Sequence, residues 1–172
     1  LNRQGLTTVV NGNCGLSVAP AGEKFGKEIA GFLSSVTGDF RWRTNEKIDE
    51  TEDVFSSKKK GESCGISAKE SEIDALGIMS TMSAYLSALG KETRSVNTGM
   101  LAGNGTIRAG VKGYAPGKLS KEELHQVWKV VEEALSAGAL GISLGIAYAP
   151  EFEYDRDGLV EVLQPLKGTD IP

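Results

Sequence analysis

The chain has 172 residues, 40% of them hydrophobic and 24% charged, with a net charge of −4. That length and balance suffice for one packed domain and exclude a disordered or fibrous chain. The acidic excess argues against a nucleic-acid surface, and no apolar run reaches the roughly 18 residues of a membrane span.

Residues Thr7 to Asn11 form a short β-branched run between Gly5 and Gly12, the pattern of a buried strand. The strand opens into Gly12-Asn-Cys14-Gly15, which sets a thiol at its C-terminal lip, where α/β folds keep their chemistry. Ala21 to about Ser35 reads as a helix with Phe25, Ile29, Phe32 and Leu33 on one face. A long polar loop over 37–71 follows, with Phe40, Trp42 and Phe55 as its anchors to the body. Its basic run, Lys58 to Lys60, precedes Glu62 and reads as solvated.

The stripe Leu76, Met79, Met82, Tyr85, Leu86 and Leu89 predicts a second helix from about Glu72, ended by Gly90. Ser95 to Thr98 reads as a second strand opening into the glycine-rich stretch 99–108. Ser120-Lys-Glu-Glu123 is a capping box for a third helix, whose apolar face is Leu124, Val127, Trp128, Val131 and Leu135 and whose stop is Gly138. Ala139 to Ile146 reads as a third strand running into the loop Ala147-Tyr-Ala-Pro150. Asp155 and Asp157 read as loop and helix-start residues, and a short helix over 158–167 is limited by Pro165.

Strands alternating with amphipathic helices predict an α/β fold with about three parallel strands and right-handed crossovers, organised as one domain over 1–172. Three βα units are fewer than the eight of a closed barrel, so the sheet is expected to carry open edges through which copies could self-associate. The chain starts at Leu1, almost inside a strand pattern, and stops at Thr169-Asp-Ile-Pro172, which reads as the approach to another strand. The expectation is a piece of a larger barrel.

Two cysteines do not make a disulfide framework, and reduced thiols with a cytoplasmic location are expected. A cysteine beside a strand is most often a small buried hydrophobe; its place in a polar loop at a strand end makes Cys14 a ligand candidate. The single histidine, His125, falls on the polar face of the third helix, so a zinc site needing three or four ligands cannot be completed from these residues. Gly103-Asn-Gly105 lacks the third glycine of a dinucleotide fingerprint, position 108 being Arg, and no clean helix is expected to follow it. Ser143 has no triad partners. The sequon Asn104-Gly-Thr106 is read as a chance match.

Three segments carry a family resemblance: Gln4 to Pro20 around Asn13-Cys14-Gly15, Asn97 to Arg108, and Glu132 to Pro150. With Tyr85-Leu-Ser-Ala-Leu89 they stand in the order found in the N-acyl-D-amino-acid deacylases (D-aminoacylases) of the amidohydrolase superfamily, which the chain resembles over almost its whole length. The resemblance implies a partial TIM barrel and a metal-dependent hydrolase that cleaves the amide of small-molecule N-acyl-D-amino acids with zinc-activated water; from charge and apolar-run length, no nucleic-acid or membrane partner is expected. By the same resemblance Cys14 corresponds to the family's zinc-binding cysteine, and Tyr148 to a tyrosine lining the substrate site. Gly103-Asn104-Gly105-Thr106 stands where relatives often have Gly-His-Gly-Thr. The family's first histidine pair would precede Leu1, and its later histidines and catalytic aspartate would follow Pro172, so this stretch alone is expected to be inactive. A different amidohydrolase, such as a cyclic amide hydrolase, and a non-catalytic structural or interaction module are the competing readings.

Overall fold

Thr8–Asn11 (β1) pairs in parallel with Asn97–Met100 (β2), from Thr8 opposite Asn97 to Asn11 opposite Met100. After Leu101 the same run continues as Ala102–Gly103 (β3), which pairs in parallel with Ile142–Ser143 (β4). The central run thus serves the first strand with its first half and the last strand with its second half. Leu101 N donates to Asn11 O (2.8 Å) and Ala102 N to Gly141 O (2.9 Å), so pairing changes sides without a gap. The structure, a computed structural model, describes residues 2–37, 78–91 and 96–172.

Five α-helices lie among the described residues: Gly26–Thr37 (α1), Met82–Lys91 (α2), Asn104–Lys112 (α3), Lys121–Ala137 (α4) and Arg156–Val162 (α5). The main core joins Met82, Tyr85 and Leu89 of α2, Ile107 of α3, Val127, Val131 and Ala134 of α4, and Val162 of α5. A second cluster joins Ile29, Ala30 and Leu33 of α1 to Ile78 and Ala109. Helix α3 is the wedge between them, with Ile107 in one cluster and Ala109 in the other.

The sequence reading holds for α/β class, parallel pairing and the best-signalled helix. Ser120 Oγ accepts from Glu123 N (3.2 Å), Glu123 Oε2 accepts from Ser120 N (2.7 Å), and Gly138 closes α4 in the left-handed region at φ 113°. Asp155 caps α5 by accepting from Gly158 N at 2.9 Å, and Pro165 falls in a separate 3-10 turn.

Several expectations are corrected. Strand β1 is not buried: among its residues only Val9 is half-covered, and Val10 is 42% exposed. Helix α1 starts at Gly26 rather than Ala21, because Ala21 N and Gly22 N already donate to Met79 O (2.9 Å) and Ser80 O (3.1 Å). Those bonds hold residues 79 and 80 in a non-helical stretch, and α2 begins at Met82 with Thr81 Oγ1 accepting from Ala84 N (3.1 Å); Gly90 lies inside α2 instead of ending it. Leu76, the loop residues 38–71 and Cys64 lie outside the described residues.

The stretch after Gly103 does form a helix. Residues Asn104 to Ala109 are all buried, so the first turns of α3 are covered on every side. Strand β4 is two residues long rather than eight, because its partner β3 ends at Gly103, where α3 begins. On the outer side of β4, Ile142 N donates to the carbonyl of Pro172 (2.9 Å), the last residue of the chain.

Candidate functional site

Both candidate site residues sit at the C-terminal ends of the parallel strands. After β1 the chain turns sharply, with Cys14 at φ 56° and Gly15 at φ 70°. Two consecutive left-handed residues are costly for a residue with a Cβ, and Cys14 is the one non-glycine residue among those described with positive φ. The turn is braced locally, with Leu16 N donating to Asn13 O (3.1 Å) and Asn13 Nδ2 to Val10 O (3.1 Å). Its result is an exposed, free Cys14 thiol.

Tyr148 comes to the same place from the loop after β4, and its hydroxyl donates to the carbonyl of Cys14. Burial raises the Tyr148 phenol above its ordinary value, with smaller electrostatic contributions from the neighbouring Cys14 and Glu151. Cys14 and Tyr148 line one mostly apolar cavity of about 700 Å³ with Leu16, Phe32, Tyr85 and Met100. A cavity of this size takes a small molecule, and its apolar walls suit an acyl chain or an apolar side chain.

Beneath this lip is a polar node that the sequence reading did not identify. Ser143 Oγ accepts from Gly15 N (2.9 Å) and donates to Gly12 O, so the hydroxyl of β4 holds the turn that carries Cys14. Thr106 N donates to Gly15 O (3.1 Å), and the Thr106 hydroxyl bonds both backbone groups of Ser17 (2.9 and 3.0 Å). Glu151, 1% exposed, accepts from Gly145 N at Oε1 (3.0 Å) and from Asn104 Nδ2 at Oε2 (3.1 Å). Burial raises the Glu151 carboxyl above the ordinary carboxylate range, although these donors, the Gly105 amide and Arg108 oppose the shift.

The rejected candidates keep their structural roles. Asn104 and Thr106 are buried, so the sequon is closed to a glycan. Ser143 is spent on backbone bonds, and no histidine stands beside it. His125 is exposed on α4, edge-on to Trp128 at 5.0 Å.

Cys14 supplies a soft, exposed sulfur at a cavity lip, as zinc coordination asks of a single ligand. Among the described residues no cluster of three or more His, Cys, Asp or Glu side chains could hold an ion. Likewise no described helix is long and apolar enough to cross a membrane.

No protein-family model matches the chain. The D-aminoacylase of Alcaligenes xylosoxydans xylosoxydans is 27% identical over 163 residues, 95% of this chain and 26% of that protein. The N-acyl-D-aspartate deacylase of the same organism is 27% identical over 165 residues, 96% of this chain and 26% of that one. Among solved structures, a D-aminoacylase with a binuclear metal centre superposes with TM-score 0.62 at 26% identity, over 95% of this chain and 26% of that chain. A D-aminoacylase that defines a novel subset of amidohydrolases superposes with TM-score 0.60 at the same identity and coverage. The chain spans about a quarter of the length of the curated relatives it matches. Along nearly all of its own length the chain is similar to D-aminoacylases, one of which defines a novel subset of amidohydrolases.

Proposed function

We propose that this chain is the second-to-fourth-strand portion of a (β/α)8 amidohydrolase barrel that cleaves the amide bond of N-acyl-D-amino acids. The observation that carries the reading is the meeting of Cys14 and Tyr148 at one cavity lip, on loops that follow parallel strands. In this reading Cys14 supplies one sulfur ligand to zinc, and the other ligands come from outside the described residues. The metal supplies Lewis-acid activation of water against the amide carbonyl. Tyr148 walls the substrate side of the cavity, and the apolar surface of Leu16, Phe32 and Met100 receives an apolar part of the substrate.

The reading also covers the exposed apolar residues. Val10 on β1 and Leu140 and Ile146 beside β4 are 42%, 50% and 56% exposed, which suits surfaces that other strands and helices of a barrel cover. The same surfaces give this segment alone a route to self-association.

Metal analysis tests the ligand assignment. In the whole protein, Cys14→Ser is expected to lose bound zinc, and equal zinc content in the two proteins overturns the assignment. The 172-residue segment alone, loaded with zinc, is expected not to hydrolyse N-acetyl-D-methionine. Enzyme-like turnover by the segment would show that the ligands placed outside it are not required.

A further inference from the structure

Glu151 is a carboxylate almost wholly removed from water, at 1% exposure, in a loop whose neighbour Phe152 is 56% exposed. A buried carboxylate is retained only where donors replace its hydration. Here the donors come from two separate elements: Asn104 Nδ2 (3.1 Å) and the Gly105 amide at the start of α3, and Gly145 N (3.0 Å) in the loop after β4. A third element, the loop after β1, meets the carboxylate by packing. A Cβ placed on Gly15 would overlap Glu151 Oε1, and a Cβ on Gly105 would stand 2.9 Å from that oxygen and 2.9 Å from Gly15 O. Gly15 directly follows Cys14, and both have positive φ, so a shift at Gly15 turns the Cys14 side chain with it.

We propose that Glu151 is the positioning residue for Cys14: its carboxylate locks the loops after β1 and β4 to the start of α3 and so fixes where the thiol points. Glu151 does not touch the sulfur and takes no part in chemistry. It acts through Gly15, where there is no room for a Cβ beside Oε1, and through Gly145, whose amide it holds. A Cβ on Gly145 would in turn overlap the carbonyl of Cys14, so two of the contacts of Glu151 converge on the same turn. Replacing the carboxylate by an amide keeps its size but sets an NH2 group against Gly145 N–H or against the Asn104 NH2, two donors face to face. The importance of the fixed thiol rests on Cys14 being the metal ligand of the proposed function; the fixing of the thiol itself does not.

The test uses the whole protein in a Cys64→Ser background, with Glu151→Gln, Glu151→Ala and Asn104→Ala compared as folded samples verified by circular dichroism. Two quantities are read: the rate at which a disulfide reagent modifies the Cys14 thiol without metal, and cobalt(II) affinity from the thiolate-to-metal charge-transfer band. Glu151→Gln is expected to change the modification rate about tenfold and to weaken cobalt binding by about 10- to 100-fold, the range of outer-shell partners of metal ligands. Asn104→Ala is expected to move both in the same direction by less. A merely stabilising Glu151 would lower the melting temperature and leave both readouts unchanged, and that result overturns the proposal. If the unmutated protein gives no charge-transfer band, the ligand reading fails, and the modification rate alone decides on Glu151. Should Glu151→Ala not fold, Glu151→Gln and Asn104→Ala carry the comparison.

Discussion

The hydroxyl of Tyr148 donates to the carbonyl of Cys14, joining residues 134 positions apart in the chain. This bond closes the cavity lip on the side of β4 and gives Tyr148 a fixed place beside the thiol. Tyr148→Phe removes the donor and keeps the ring. The carbonyl left behind can reach water, so the expected loss is that of one ordinary hydrogen bond, about 1 kcal/mol, read from the urea midpoint. A loss several times larger would mean that the bond holds more of the fold than the lip.

Glycine at position 15 is required by two independent constraints. Its φ of 70° disfavours any Cβ, and the Cβ would also overlap Glu151 Oε1. Gly5 has a similar φ of 79° but nothing within 4 Å of a Cβ. The pair separates strain from collision. Gly5→Ala is expected to cost about 1–2 kcal/mol, the left-handed penalty alone. Gly15→Ala is expected to cost about 4 kcal/mol or more, in the range of substitutions that break a buried network. Equal melting temperatures for the two variants would show that the Glu151 carboxylate yields freely.

The parts of this architecture that were legible in the sequence are those with local causes. Helix α4 announces itself by Ser120, Glu123 and Gly138, each of which acts within a turn of its own helix end. The turn at Asn13-Cys14-Gly15 and the loop at Tyr148 were legible as strand-end loops and through the family resemblance. Helix α3 was not, because Gly103 and Gly105 read as turn glycines, and Gly105, Thr106 and Ala109 are small or polar where a core stripe is sought. Strand β1 was legible as a strand but its exposure was not, since a β-branched run does not say which neighbours cover it. Glu151 was out of reach for a related reason. Its burial follows from meeting Gly15, Asn104 and Gly145, which no local pattern links.

The capping box predicts a specific loss. Ser120 Oγ satisfies the Glu123 amide, and the Glu123 carboxylate returns the bond to Ser120 N while also meeting Lys112 Nζ at 2.9 Å. The Ser120 amide holds the Glu123 carboxyl below its ordinary value; burial opposes this, and Lys112 and Arg108 add to it. Ser120→Ala leaves the amide of Glu123 without its acceptor at the start of the longest described helix and is expected to cost about 1 kcal/mol by thermal or urea unfolding. Ser120→Gly should cost only a few tenths, since glycine frees the end for water. The reverse order of the two variants would contradict the capping role.

The buried carboxyl of Glu151 also sets a pH dependence whose sign can be worked out. Its folded value is raised by burial, against the opposing donors Asn104, Gly145 and Gly105 and the nearby Arg108, while the unfolded chain returns it to the ordinary carboxylate value. Between the two values the folded protein binds the proton more tightly than the unfolded one. The stability contributed by this group is therefore complete below the ordinary carboxylate range and is lost as pH rises through the raised value. Glu151→Gln does not titrate, so subtracting its stability from that of the unmutated protein cancels the other groups. The difference should turn against the unmutated protein as pH rises from about 4 towards 7, with a slope of at most about 1.4 kcal/mol per pH unit for one proton. A difference that stays flat over that range would place the Glu151 carboxyl at its ordinary value, with its hydrogen bonds offsetting burial completely. A difference that turns in favour of the unmutated protein would mean that the donors outweigh burial.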